Sequence, residues 1–120
     1  MGKNTLVIGA SDNSIRFSYL AVHRLRSNGH LVKAIGKHKG TVADVAIETE
    51  KQVYQDIDTV TLYINPTHQK EYYGYILSLH PKRIIFNPGT ENPELEELAR
   101  NNNIETMEAC TLVLLSTGQY

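Results

Sequence analysis

The chain has 120 residues, 41% of them hydrophobic and 21% charged, which fits one globular domain and excludes disordered and fibrous classes. No apolar run approaches the roughly 18 residues that a membrane-spanning helix needs. Twelve Lys and Arg against thirteen Asp and Glu leave a net charge of −1, which argues against attachment to nucleic acid through bulk charge.

Thr5 to Ile8 is a short apolar run ended by Gly9 and reads as a fully buried strand. Ser11, Asp12, Asn13 and Ser14 follow, four residues of the kind that cap helices. From Ile15 the positions Ile15, Tyr19, Val22 and Leu25 recur at helical spacing until Asn28-Gly29 stops the helix. Leu31 to Ile35 is a second strand, stopped by Gly36. Strand, tight turn, helix and strand within about 30 residues make a βαβ unit.

Lys37 to Gly40 reads as a polar loop, Val45 to Ile47 as a short strand, and Glu48 to Asp56 as a polar stretch with a broken helical turn. Thr59 to Ile64 is a β-branched and aromatic strand ended by Asn65-Pro66. A helix is predicted from Thr67 to about Leu79, closed by Pro81, which cannot continue it. Arg83 to Phe86 is the next strand. Asn92-Pro93 then opens a helix with Glu94, Glu96 and Glu97 in its first turn, where the helix dipole favours anions. Ile104 to Ala109 is the last strand, and Cys110 to Thr117 a short helix stopped by Gly118.

Strands alternating with helices imply an α/β fold: a Rossmann-like, doubly wound and mostly parallel sheet covered on both faces, in a single domain. Ligands of such sheets bind beyond the carboxyl ends of the strands, near the point where strand order reverses. The segments that follow strands are Gly9-Ala10-Ser11-Asp12-Asn13, Gly36-Lys37-His38-Lys39, Tyr63-Ile64-Asn65-Pro66, Asn87-Pro88-Gly89 and Glu108-Ala109-Cys110. All five are expected at one edge.

The first segment departs from the dinucleotide fingerprint G-x-G-x-x-G: Gly9 matches, but Ser11 and Ser14 replace the second and third glycines. Ser11 and Asn13 still offer polar groups, and Arg16 lies within reach of an anion at the helix N-terminus. Simple helix capping by Ser11 or Asp12 is the competing reading. The second segment is more selective. NAD-binding sheets carry an acidic residue near the end of the second strand to hold the ribose hydroxyls. Here Lys37 and Lys39 stand instead, which favours a phosphorylated ribose: the 2′-phosphate of NADP or the 3′-phosphate of coenzyme A.

Cys110, the only cysteine, rules out an internal disulfide and makes a reducing cytoplasm the expected compartment. No signal-peptide organisation precedes the first strand, and Leu6 stands where a myristoylation motif has Ser or Thr. No histidine signature surrounds Cys110, so it reads as a small buried residue rather than a nucleophile. The five histidines lack metal-ligand spacing. The seven tyrosines read mostly as helix packing, and no catalytic constellation is evident.

The runs Val-Ile-Gly-Ala-Ser-Asp-Asn at 7–13, Arg16 with Ser18-Tyr19, Thr-Val-Thr-Leu-Tyr-Ile-Asn-Pro at 59–66, Asn-Pro-Gly-Thr-Glu-Asn at 87–92 and Glu-Ala-Cys-Thr-Leu-Val at 108–113 carry a resemblance. Over nearly its whole length the chain resembles the small stand-alone coenzyme A-binding proteins of bacteria. Those share a Rossmann-like domain with the alpha subunit of succinyl-CoA synthetase. The sequence departs from them at Ser14-Ile15, where proline is frequent, and in the lysine loop, which lacks a usual proline. The resemblance implies that a pyrophosphate sits over Ala10, Ser11 and Asn13 with Arg16 as counter-charge. It implies that Lys37 or Lys39 meets the 3′-phosphate. Tyr63 to Pro66 and Asn87 to Gly89 would line the adenine and pantetheine side. The relatives catalyse only with further domains, so a stand-alone copy is expected to bind CoA or an acyl-CoA without chemistry. An NADP-binding oxidoreductase or redox-sensing module is the alternative, and an interaction module without ligand a third.

The charge count is also uneven along the chain. Residues 1–40 hold seven basic side chains against Asp12, a net of +6, and residues 41–120 a net of −7. Such asymmetry points to a charged partner. Arg16, Lys37 and Lys39 belong to the basic part, so the expected partner is a small phosphorylated nucleotide, with no nucleic acid and no membrane. A homo-oligomer stays open.

Overall fold

A computed structural model describes residues 2–120 and contains one seven-stranded sheet. Its strands are β1 (Thr5–Ala10), β2 (Val32–Gly36), β3 (Gly40–Val42), β4 (Val45–Glu48), β5 (Thr59–Leu62), β6 (Arg83–Phe86) and β7 (Glu105–Glu108), in the spatial order β3-β4-β2-β1-β5-β6-β7. Every pairing is parallel except the β3–β4 hairpin. Without that hairpin's outer strand the order is that of the Rossmann fold, and strand order reverses between β1 and β5. The fold is α/β and Rossmann-like, as the alternation of elements predicts.

Helix α1 (Phe17–Ser27) and helix α5 (Thr111–Ser116) cover one face and pack against each other. Helices α2 (Pro66–Gln69), α3 (Tyr73–Leu79) and α4 (Pro93–Asn101) belong to the other side of the sheet. The strands' alternation sorts the core. Leu6, Ile8, Ile35, Leu62 and Phe86 meet Ile76, Leu95 and Ala99 on the second face. Val7, Ala10, Val32 and Ala34 meet Val22 and Leu25 on the first. Strands buried on both faces are the reason why their sequences are continuous apolar runs. Among the described residues no helix is long and apolar enough to cross a membrane.

Four local expectations change. The helix expected from Ile15 begins at Phe17, with Arg16 in extended conformation as its N-cap. Gly40 to Val42, read as loop end, is a strand that pairs with β4. The helix expected over 67–79 is split into α2, a 3₁₀ turn at Lys70–Tyr72, and α3. Glu48 to Asp56 forms no helical turn. Its Tyr54 packs on the core instead, and Lys51 lies over the Tyr72 ring at 5.1 Å.

Candidate functional site

A cleft of about 650 Å³ opens at the carboxyl edge of the sheet, over the reversal between β1 and β5. Its first wall depends on Gly9. That residue has φ +93°, and a Cβ there would lie 2.7 Å from Ile64 Cγ2 and 2.8 Å from the Tyr63 carbonyl carbon. Only glycine fits, because the backbone of β1 turns against the end of β5 at this point. The turn appears in the register as a shift between Ile8 and Ala10 in their pairing with β2.

The loop from Ser11 to Arg16 holds itself in place. Ser11 Oγ accepts from the Asn13 N–H at 3.0 Å, Asn13 Oδ1 accepts from the Ile15 N–H at 3.2 Å, and the Arg16 N–H donates to the Asn13 carbonyl at 3.0 Å. These bonds leave α1 without a side-chain cap. Capping by Ser11 or Asp12 therefore does not occur: the helix starts too late for either to reach its first N–H groups. An uncapped N-terminus aims unsatisfied N–H groups and the positive end of the helix dipole outward.

Arg16, the N-cap residue, and Lys37, just after β2, both line the cleft and are exposed, with His38 next to Lys37. Neither cation pairs with a carboxylate among the described residues. Arg26 differs: it makes a bidentate ion pair with Asp44 in the β3–β4 turn, Nε–Oδ1 and Nη2–Oδ2 both at 2.8 Å. That pair holds the guanidinium pKa up and the Asp44 carboxyl down. Arg26 thus anchors α1 and takes no part in the site. Asp12 also lines the cleft and packs against Gly40, where a Cβ would stand 2.6 Å from its Oδ2.

The opposite wall comes from the loops after β5 and β6. Tyr63 lines the cleft, but its hydroxyl is buried beside Thr61 and Thr111, whose own hydroxyls bond each other at 2.8 Å. The phenol completes no hydrogen bond of its own, and burial pushes its pKa far above the ordinary tyrosine range. Asn65 caps α2, its Oδ1 accepting from the His68 N–H at 3.0 Å. Beneath both lies Gln69, fully buried, whose Nε2 donates to the Ile64 carbonyl at 2.9 Å and the Thr90 carbonyl at 2.8 Å. Its Oε1 accepts from Asn92 Nδ2 at 2.9 Å. One amide therefore joins the two loops that form this wall.

A family model for the CoA binding domain matches residues 3–116. The chain belongs to the CoA-binding domain family. The crystal structure of an uncharacterized protein is 52% identical, covering 100% of this chain and 99% of that one, with a TM-score of 0.97. A hypothetical protein from Pyrococcus horikoshii OT3 is 19% identical over 97% of this chain and 83% of its own, with a TM-score of 0.87. A cell-free product, ID.343, from Thermus thermophilus is 17% identical over 99% and 91%, also with a TM-score of 0.87. The last two show a shared fold. No curated protein matches the chain.

Of the residues expected at a CoA site, Gly9, Ala10, Ser11, Asp12, Arg16, Lys37, Tyr63, Asn65 and Pro88 line this cleft. Asn13, Lys39, Pro66, Asn87 and Gly89 do not. Asn13 organises the loop by the three bonds given above. Pro66 is the first residue of α2, and the Gly89 N–H is held by Glu91 Oε1 at 2.9 Å. Asn87 is a structural pin: Nδ2 donates to Thr61 Oγ1 at 2.6 Å and the Leu62 carbonyl at 2.9 Å, and Oδ1 accepts from the Thr111 N–H at 2.8 Å. Phe17, Ser18, His38, Ile64, His68 and Thr90 line the cleft without having been singled out. Position alone would have found Ile64 and His38, which lie inside predicted segments. Phe17 and Ser18 required knowing that the helix begins two residues late.

Proposed function

We propose that this cleft binds coenzyme A or an acyl-CoA, and that the domain is a binding module without chemistry of its own. The carrying observation is the uncapped N-terminus of α1 at the strand-order reversal, flanked by the unpaired cations Arg16 and Lys37. Backbone N–H groups and the helix dipole suit a pyrophosphate. Lys37, at the end of β2, suits the phosphate on the adenosine ribose, and it lines the cleft where Lys39 does not. Membership of the CoA-binding family supports the 3′-phosphate of CoA over the 2′-phosphate of NADP. The histidines of the cleft, His38 and His68, make no side-chain hydrogen bond to a nucleophile among the described residues, and Cys110 lies outside the cleft lining. A module of this kind fits the reducing cytoplasm that a single cysteine suggests.

The test is direct. Native mass spectrometry of the purified protein, followed by heat release, is expected to yield a 260 nm chromophore with the mass of CoA or an acyl-CoA. Calorimetric titration is expected to rank CoA well above dephospho-CoA, because a charged hydrogen bond to the missing phosphate contributes about 1.5–3 kcal/mol. Equal binding of the two would refute the role given to Lys37. Quenching of NADPH fluorescence with no response to CoA would refute the ligand.

A further inference from the structure

Phe17 is 71% exposed, on the first turn of α1 and in the lining of the cleft. Ile15 before it and Leu20 after it are 83% and 39% exposed, so three apolar side chains stand exposed at the N-terminus of α1. Single exposed apolar residues need no explanation, but this ring lies on the wall of the cleft, next in sequence to the Ser11–Arg16 loop.

The ring's direction follows from helix geometry. Phe17 and Arg26 are nine positions apart, and at about 100° per residue they project from opposite sides of α1. Arg26 reaches the β3–β4 turn through Asp44. Phe17 therefore faces the other way, toward α5 and the ends of β5 and β6, in agreement with the packing of α1 on α5. Lys37 and His38 stand at the β2 end of the cleft, and Asn65, Pro88 and Thr90 at the β5 and β6 end. If the adenosine phosphate meets Lys37, the ring flanks whatever leaves the pyrophosphate on the far side.

We infer that Phe17 is the specificity-determining residue of the cleft, packing against the dimethyl carbon that follows the pyrophosphate in CoA. This rests on the CoA reading above. A dinucleotide has a ribose at that position, whose hydroxyls gain nothing from a phenyl ring and lose water to it. The apolar carbon gains from the same contact. One aromatic side chain thereby separates the two phosphorylated ligands that the lysine loop admits.

The experiment titrates CoA and adenosine 3′-phosphate 5′-diphosphate, which is CoA cut beyond its pyrophosphate, into wild type, Phe17→Ser and Phe17→Leu. The serine variant is expected to bind CoA about tenfold more weakly, the loss of roughly two buried methyl groups. It is expected to bind the truncated nucleotide as wild type does. The leucine variant keeps an apolar surface and is expected to recover most of the CoA affinity. Equal weakening for both ligands would show that the ring acts through the helix terminus, and no weakening would show that it does not touch the ligand; either overturns the inference. Failure of wild type to bind either ligand would overturn the CoA reading itself, and the inference with it. Because the side chain is exposed, unchanged thermal midpoints are expected for both variants.

Discussion

Gly9→Ala tests the joint between β1 and β5 on which the cleft depends. Two terms add at this residue. At φ +93° an L side chain occupies a region that costs about 1–3 kcal/mol. The new methyl also stands 2.7 Å from Ile64 Cγ2, 2.8 Å from the Tyr63 carbonyl carbon and 2.9 Å from its oxygen. Two of those three atoms are backbone of Tyr63, the residue just after β5, whose N–H is held by the Ile8 carbonyl, so relief requires the end of β5 to shift. Overpacking of this kind costs about 1–3 kcal/mol. The expected destabilisation is about 2–6 kcal/mol, a large share of the 5–15 kcal/mol typical of a domain. Gly89→Ala separates the terms, since Gly89 has φ +90° with open space around its Cβ position. It should show only the backbone term, about 1–3 kcal/mol. Urea unfolding of both variants, with m-values compared to wild type, reads the difference as a shift in midpoint. If Gly9→Ala is no worse than Gly89→Ala, the contact with β5 is soft, and the argument that this glycine shapes the cleft is wrong.

Three further outcomes follow from other parts of the molecule. Gln69→Leu leaves the Ile64 and Thr90 carbonyls without their donor, and should cost about 2–4 kcal/mol in urea unfolding; a loss under 1 kcal/mol would mean that water replaces the amide. Lys37→Ala should weaken CoA binding while Lys39→Ala leaves it nearly unchanged, since only Lys37 lines the cleft; equal losses in calorimetry would reassign the phosphate. His30 accepts the Lys3 N–H at Nδ1 and has its pKa lowered, first by burial and then by Lys3 and Arg83. The unfolded chain takes up this proton first, so the contribution is complete above about pH 6.5 and fades as pH falls below it. In thermal melts between about pH 7 and pH 5, His30→Asn should flatten the slope; an unchanged slope would show that other groups govern it.

Most of the strands and the fold class could be read from the chain because burial on both faces writes continuous apolar runs such as Leu6-Val7-Ile8 and Ile84-Ile85-Phe86. Gly40-Thr41-Val42 escaped because a three-residue edge strand with one buried side chain leaves almost no pattern. The start of α1 was misplaced for a physical reason. Ile15 continues the helical spacing of Tyr19 and Val22, yet it is exposed, and the loop's own hydrogen bonds hold residues 11–16 out of the helix. Asn87 lies outside the cleft lining. A polar residue at a strand's carboxyl end has the composition of a ligand contact, and only its three internal hydrogen bonds reveal it as a pin. Gln69 carried no signal at all. A buried amide on a helix is indistinguishable in sequence from a solvated one, because what defines it is the pair of carbonyls brought to it from Ile64 and Thr90.

The polar groups at and beneath the cleft are of two kinds. Asn87 and Gln69 are buried and Asn13 is exposed, yet all three bind the protein to itself, whereas Arg16 and Lys37 are exposed without a carboxylate partner and α1 has no side-chain cap. The division has an energetic reason. A cation left unpaired at the rim stays hydrated and destabilises the fold little, while an unpaired amide beneath it would carry a full desolvation penalty. A fold can therefore hold a permanent anion site only where its buried polar groups satisfy one another first. The uneven charge of the chain takes its meaning from this. Of the seven basic residues in 1–40, Arg26 is neutralised by Asp44, and only Arg16 and Lys37 line the cleft. The relevant charge is thus two cations and a helix terminus rather than +6, enough for the phosphates of one nucleotide and too little to track a polymer.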